Sequence, residues 1–415
     1  MLPGLIFLAC GRSPERAKDA LIFWSANNVF EQQFAREVVA EWNRLHPDKP
    51  VVHQPVPEGQ SSEEVILASI AARTTPDIYA NVWPGDVQFY VRANAVVRIS
   101  DFPGALDFLI QRSGADAIEA AKSPDGSLHH VPWKTNPIMM VYNVKLFREL
   151  GYDRAPPTYR EFIEAGLRLK ATNGAERWIG IADIRNIWWQ RFFDFYSLYL
   201  AASGGVTLVR GDSVLFENEA AVRVMAFLQE VYRRGLFPKQ KASAVGDLFL
   251  LGRIATRFTG PWTISHLERF KPEGFEYAFA PLPVPEKTDG PIYTYGDPKN
   301  IVIFSTCKRP QDAWAFIQFM LSRENDRRFL EITSQLPRRV GMTTDSLFAD
   351  YFRRHPMMVQ FAQQAHYVRG ADQAPVMKEV FDAISQEYEA AVVYQVKSAE
   401  QAIRDAAARV RLILR

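Results

Sequence analysis

At 415 residues the chain is too long for one ordinary hydrophobic core, so two α/β lobes are expected. Lys and Arg number 49 against 47 Asp and Glu, a net charge of +2, which argues against a nucleic-acid protein, since such a protein normally carries a concentrated basic surface. The two cysteines, Cys10 and Cys307, lie far apart with no Cys-x-x-Cys or Cys/His cluster, so neither a structural zinc site nor any other cofactor is expected.

Residues 5–11 (Leu-Ile-Phe-Leu-Ala-Cys-Gly) form an apolar run ending in a small residue and a cysteine. This run resembles the end of a bacterial lipoprotein signal, in which the cysteine is lipidated. Phe7 departs from the usual aliphatic residue, no basic segment precedes the run, and it is too short for a full signal. Residues 1–19 are therefore read as a truncated or mis-started signal remnant plus a polar tether, with Cys10 the lipidated residue. No other stretch is long and apolar enough to span a membrane.

Residues 21–24 read as a buried strand stopped by Ser25-Ala26-Asn27-Asn28. Phe30, Phe34, Val38 and Trp42 then recur on one face of a helix that His46-Pro47 ends. A second strand covers 51–56, and Ser61-x-x-Glu64 is a capping box opening a helix to about residue 73. A third strand, 77–80, leads into the loop Asn81-Val82-Trp83-Pro84-Gly85. Strand and helix alternate as in a parallel sheet covered on both faces.

Pro132 and Pro137 bracket a short extended segment before the apolar run 138–143. Thr158-x-x-Glu161 is another capping box, with its helix ending near Asn173-Gly174. A strand is expected over 178–182, then the loop Asp183-Ile184-Arg185-Asn186 and an aromatic-rich helix over 188–202. Asn218 caps a helix to about residue 234. The β-prone run 254–258 breaks at Gly260-Pro261 and delivers Trp262 at a strand end. Strands follow over 277–281 and 300–304, then helices over about 311–321, 324–333, 356–366, 376–396 and 399–414.

Several of these stretches resemble, in order, the extracellular solute-binding proteins of ABC importers, in the carbohydrate-binding group that includes maltodextrin-binding proteins. They are Thr75-Pro76-Asp77-Ile78-Tyr79, Val131-Pro132 with Val141-Tyr142-Asn143, and Pro157-Thr158-Tyr159-Arg160-Glu161-Phe162. Gly59 to Arg73, Ala93 to Ile99, Gly252-Arg253-Ile254-Ala255 through Gly260-Pro261-Trp262, Lys308-Arg309-Pro310 through Phe316, and Leu336-Pro337-Arg338-Arg339 complete the set. The resemblance implies a two-lobed periplasmic-binding-protein fold of type II, with a ligand held in the cleft and a closing motion read by permease subunits. It implies hinge crossings near 134–136, 260–263 and 306–310. The lobes are accordingly expected at 20–133 plus 263–307 and at 134–262 plus 308–415. The implied protein is a monomer on the outer face of the cytoplasmic membrane, held there only by its lipid, that binds a small-molecule carbohydrate and no nucleic acid.

A sugar presents C–H faces and a rim of hydroxyls, so its site needs flat apolar platforms and planar polar groups. Trp83, Trp133, Trp188, Trp189 and Trp262 stand in or beside expected strand-to-helix loops, where open α/β sheets bind ligands. Trp42 and Trp314 carry core spacing. Polar candidates are Asn28, Glu58, Gln60, Asn81, Asp86, Lys134, Thr135, Asn136, Asp183, Arg185, Asp297 and Arg338. Lys134, Arg185 and Arg338, with Arg253 and Arg257 beside Trp262, leave room for an anionic solute such as a polyol phosphate. A glycoside-active enzyme would use similar platforms plus two carboxylates, but no nucleophile elbow, P-loop or His-Glu-x-x-His motif is present. No metal site is expected at His129-His130.

Overall fold

The computed structural model describes residues 20–415 apart from 59–60, 124, 173–175, 183–186, 240–245, 371–373 and 375. Two sheets organise the chain. The first has five strands: β1 (Leu21–Ser25), β2 (Val51–Pro55), β3 (Ile78–Val82), β4 (Val131–Lys134) and the late strand Lys299–Ile303, in the order β2, β1, β3, Lys299–Ile303, β4. β1 runs parallel to β2 and β3, whereas Lys299–Ile303 runs antiparallel to β3 and β4. The second sheet centres on β5 (Met139–Asn143), flanked antiparallel by Thr256–Thr259 and Tyr277–Ala280.

Both sheets are covered on both faces, as near-continuous apolar strands require. In the first sheet Phe23, Ile78, Ala80, Ile301 and Ile303 face one core, while Trp24, Tyr79 and Val302 face another. In the second, Ile138 and Met140 face one core and Met139 and Val141 the other. The period-two alternation sends neighbours to opposite sides.

Helices close the faces with caps read from the sequence. Asn28 caps α1 (Val29–Leu45), accepting from the Phe30 and Glu31 amides, and α1 buries Phe34, Val38 and Trp42. Ser61 caps α2 (Ser62–Ala72) by accepting from the Glu64 amide. Thr158 and Asn218 cap their helices in the same way. α3 (Pro84–Arg92) follows β3, with Pro84 in its first turn.

The expected helix over 188–202 is instead a 3-10 turn, Trp188–Phe192, followed by the helix Phe195–Ser203. Asp194 restarts it: its carboxylate accepts from the Phe195 amide and pairs with buried Arg191 at 3.2 Å. The expected strand over 178–182 is reduced to one bridge, Trp178 to Ile254.

The lobe boundaries differ from the expected ones. Tyr277–Ala280 pairs with β5 in the second sheet, and the helices Pro310–Met320 and Arg323–Thr333 place Trp314, Phe316 and Phe329 in the core of the first lobe. The chain therefore changes lobes at 135–138, at 281–298 and at 334–345. The Gly260-Pro261 turn joins a strand and a helix of the second lobe, and residues 306–310 join two elements of the first. Both turns have the Pro/Gly punctuation of a crossing without being one.

The three crossings are sewn together by hydrogen bonds. The Asn136 amide donates to the Gly296 carbonyl at 2.5 Å, and the Thr135 amide to the Leu336 carbonyl at 3.0 Å. Asn136 Nδ2 donates to Gln335 Oε1, Gln335 Nε2 to Glu31 Oε1, and Lys134 Nζ pairs with Glu31 at 2.5 Å, all of them buried. Glu31 Oε1 thus ties Lys134 to Gln335, while its Oε2 is buried without a hydrogen-bond partner among the described residues. No described helix is long and apolar enough to cross a membrane.

Candidate functional site

A cavity of about 230 Å³ lies where the lobes meet, lined by Ser61, Ser62, Glu63, Asn81, Asp297 and Lys299 on one side and Trp189, Phe192 and Phe193 on the other. Topology brings the polar side together. Lys299–Ile303 runs antiparallel to β3 with Asn300 opposite Val82, so the start of the late strand lies beside the end of β3. Asp297 and Lys299 thus meet Asn81, and the first turn of α2 supplies Ser62 and Glu63. Asn81 and Asp297 both have positive φ, 123° and 35°, a backbone that non-glycine residues rarely adopt outside functional turns.

The electrostatics are those of a desolvated mixed cluster. Lys299 Nζ stands 3.3 Å from Asp297 Oδ1. Burial works against the Lys299 charge, but Asp297, Glu63 and Asp86 outweigh it and hold its pKa above the ordinary range. Asp86 sits behind this wall, 9% exposed, with its Oδ2 lacking a hydrogen-bond partner. Burial, reinforced by the charge of Glu63, pushes its pKa up to about 7.

The aromatic side belongs to the second lobe. Trp189 packs edge-on against Phe193 at 6.5 Å, and Phe193 against Trp262 at 6.2 Å. Trp262 is partly exposed, and its indole folds back over Gly260, where a Cβ would lie 2.1 Å from the ring. Only glycine admits that approach.

The expected site residues divide accordingly. Asn81, Trp189 and Asp297 line the cavity, and Trp262 reaches it only through Phe193. Trp83 is 1% exposed and wedged against Trp188 at 4.8 Å, Phe192 at 5.4 Å and Phe381 at 6.4 Å, so it offers no free face to a solute. Trp188 is buried in the same cluster. Trp133 belongs to the first-lobe core, against Phe329 at 5.0 Å with Lys134 Nζ over its ring. Asn28 is spent on its helix cap, Lys134 on Glu31, and Asn136 on the crossings. Asp86 is buried behind the cavity, Glu58 is exposed away from its lining, and Arg338 lines a different cavity. Gln60, Asp183, Arg185 and Cys10 fall outside the described residues.

Arg257 pairs with Asp247 at 2.7 Å, and Arg253 Nε donates to the Glu176 carbonyl. Both arginines beside Trp262 are therefore committed within the second lobe. Ser61, Ser62, Glu63, Phe192, Phe193 and Lys299 were not anticipated. The capping box at 61–64 marked a helix start, and a helix start beside a parallel strand end is the signal that would have found the first three.

Residues 29–327 match the family model described as "Bacterial extracellular solute-binding protein". Among relatives, the arabinooligosaccharide-binding protein of Bacillus subtilis (strain 168) is 28% identical over 184 residues, 42% of this chain and 41% of that protein. A crystal structure of a protein from Listeria monocytogenes EGD-e, 26% identical, superposes with a TM-score of 0.78 over 96% of this chain and 100% of its own. The sugar-binding protein MalE of Xanthomonas citri, 21% identical, gives 0.76 over 95% and 97%. The described fold is thus the two-lobed type II periplasmic-binding-protein fold, with both sheets flanked by helices.

Proposed function

The chain belongs to the bacterial extracellular solute-binding protein family, and from that premise we propose that it captures a sugar or short oligosaccharide outside the cytoplasm and hands it to the permease of an ABC importer. The observation that carries the reading is the make-up of the 230 Å³ cavity. One lobe contributes carboxylates, an amide, hydroxyls and an ammonium; the other contributes aromatic faces. Each half alone is a poor sugar site, and the two together offer a platform and paired hydrogen-bonding groups. A ligand that needs both halves binds the closed arrangement better than the open one, and that difference drives closure. The binding of arabinooligosaccharide by the Bacillus relative and of sugar by the Xanthomonas one supports the solute class.

The volume lies below the roughly 300–1,000 Å³ of drug-sized pockets, which favours one sugar ring within the cavity, with any further rings outside it. A thermal-shift screen with mono-, di- and oligosaccharides, arabino- and malto-series included, tests this, with sugar acids and polyol phosphates as the anionic arm. Binding stabilises the folded state by mass action. A folded protein whose Tm moves with none of the neutral sugars would sink the carbohydrate reading.

In the same reading Cys10 carries the lipid that holds a monomeric protein to the outer face of the membrane, and Cys10→Ser would shift the protein from the membrane fraction to the soluble one. Glu63 and Asp297 place two carboxylates in one cavity, which a glycosidase also needs. Asp297 is committed to Lys299, and the binding reading expects an oligosaccharide to be recovered intact after prolonged incubation.

A further inference from the structure

A second cavity, of about 220 Å³, shares one wall with the first. Residues 296–300 divide between the two: Asp297 and Lys299 line the sugar cavity, whereas Gly296, Pro298 and Asn300 line the other. The remaining walls come from the start of α3 (Pro84, Val87, Gln88), from Ala117 to Ala121, and from His130, Lys134, Thr135 and Arg338. Val368 and Gly370 of the second lobe line it as well.

The chemistry of this cavity is one-sided. Among the described residues it is lined by an arginine, a lysine, a histidine and an asparagine, and by no aspartate or glutamate. Lys134 is neutralised by Glu31, and neighbouring Arg112 by Asp326. Arg338 has no carboxylate partner among the described residues; burial, reinforced by the charge of Arg112, pulls its pKa below the ordinary range. Asn300 is 4% exposed with its Nδ2 lacking a hydrogen-bond partner, and His130 is 8% exposed with its Nδ1 likewise unpartnered. Burial holds His130 neutral, pushing its pKa down to about 4, so its ring carries one N–H donor and no charge.

Buried donors left unmade are costly, and native proteins rarely retain them without an occupant. A guanidinium without a counter-ion, an unused amide N–H and a neutral imidazole around one small cavity match the lone pairs of a planar or tetrahedral oxyanion. We propose that this cavity binds a small oxyanion, held by Arg338, Asn300 and His130, at a site separate from the sugar cavity. Because its walls include both lobes and two crossings, the bound anion stabilises the closed arrangement without touching the sugar. The proposal does not depend on the identity of the solute in the first cavity.

The experiment follows the Tm of the whole protein against sodium sulfate, phosphate and malonate, each set against sodium chloride at equal ionic strength. A saturable rise over chloride is expected for at least one oxyanion. Sulfate and phosphate against malonate tell a tetrahedral occupant from a carboxylate one, and either preference supports the site. Arg338→Gln and Asn300→Asp should each abolish the rise while leaving any sugar-induced shift in place. Asn300→Asp serves alone if Arg338→Gln does not fold, since it exchanges the amide donor for a carboxylate at nearly constant shape. The proposal is overturned if no oxyanion exceeds chloride in the wild type, or if the rise persists unchanged in the folded variants.

Discussion

Two turns of this chain are built alike and end differently. Trp83-Pro84-Gly85 in the first lobe and Gly260-Pro261-Trp262 in the second each lead from a strand into a helix, and each folds an indole over a glycine. A Cβ on Gly85 would lie 2.2 Å from the Trp83 ring, and one on Gly260 2.1 Å from the Trp262 ring. Yet Trp83 is 1% exposed between the lobes, in the large aromatic cluster of Trp188, Phe192 and Phe381, while Trp262 stays partly open beside Phe193. The local turn decides that an indole leaves a strand end; the opposite lobe decides whether it becomes a platform or a plug.

The comparison can be broken most forcefully at Trp83. Trp83→Ala removes a buried indole that bridges the lobes and should cost about 3–5 kcal/mol of folding stability, read by denaturant unfolding. A loss below about 1 kcal/mol would mean that Trp83 is no plug.

Next in size is the pH response of the wall behind the cavity. With its folded-state pKa raised to about 7, Asp86 keeps its proton where the unfolded chain's aspartate has already ionised. Its contribution to stability is therefore fully present below about pH 4 and is lost as pH rises toward 7, at roughly 1.4 kcal/mol for each pKa unit. Subtracting the Tm–pH curve of Asp86→Asn from that of the wild type should leave a decline across pH 4–7, and parallel curves would contradict the assignment.

Asp297→Asn keeps the shape of the polar wall but removes the charge facing Lys299, and should weaken sugar binding by about 10- to 100-fold, the worth of one hydrogen bond to a charged group. Calorimetric titration reads this directly. The smallest effect sharpens the contrast at the second turn. Trp262→Ala should cost less folding stability than Trp83→Ala, and sugar affinity should fall by no more than about tenfold, because the indole acts through Phe193. Equal losses of stability in the two variants would erase the distinction.

Much of the architecture was legible in the chain. Caps at Asn28, Ser61, Thr158 and Asn218 and the strand at 21–24 follow from short-range chemistry and recur in the structure. The turns at 260–263 and 306–310 read as crossings because a Pro/Gly turn within a lobe and one between lobes use the same residues. The site was half legible. Asn81 lies near the end of β3 and Asp297 follows a short strand, and both reach the cavity, but neighbouring Trp188 and Trp189 differ only in which side of a 3-10 turn they occupy. Lys299 was unreadable for another reason: its place beside Asn81 depends on a strand more than 200 residues away entering the first sheet antiparallel.

The account's central claim is that the solute sits in the cavity between the polar wall of the first lobe and the aromatic face of the second. Trp189 is the one tryptophan lining that cavity. Calorimetric titration of Trp189→Ala with the sugar that most raises the wild-type Tm tests it most directly. The account predicts a Kd at least about tenfold weaker at nearly unchanged Tm of the free protein. An unaltered Kd in the folded variant would contradict it.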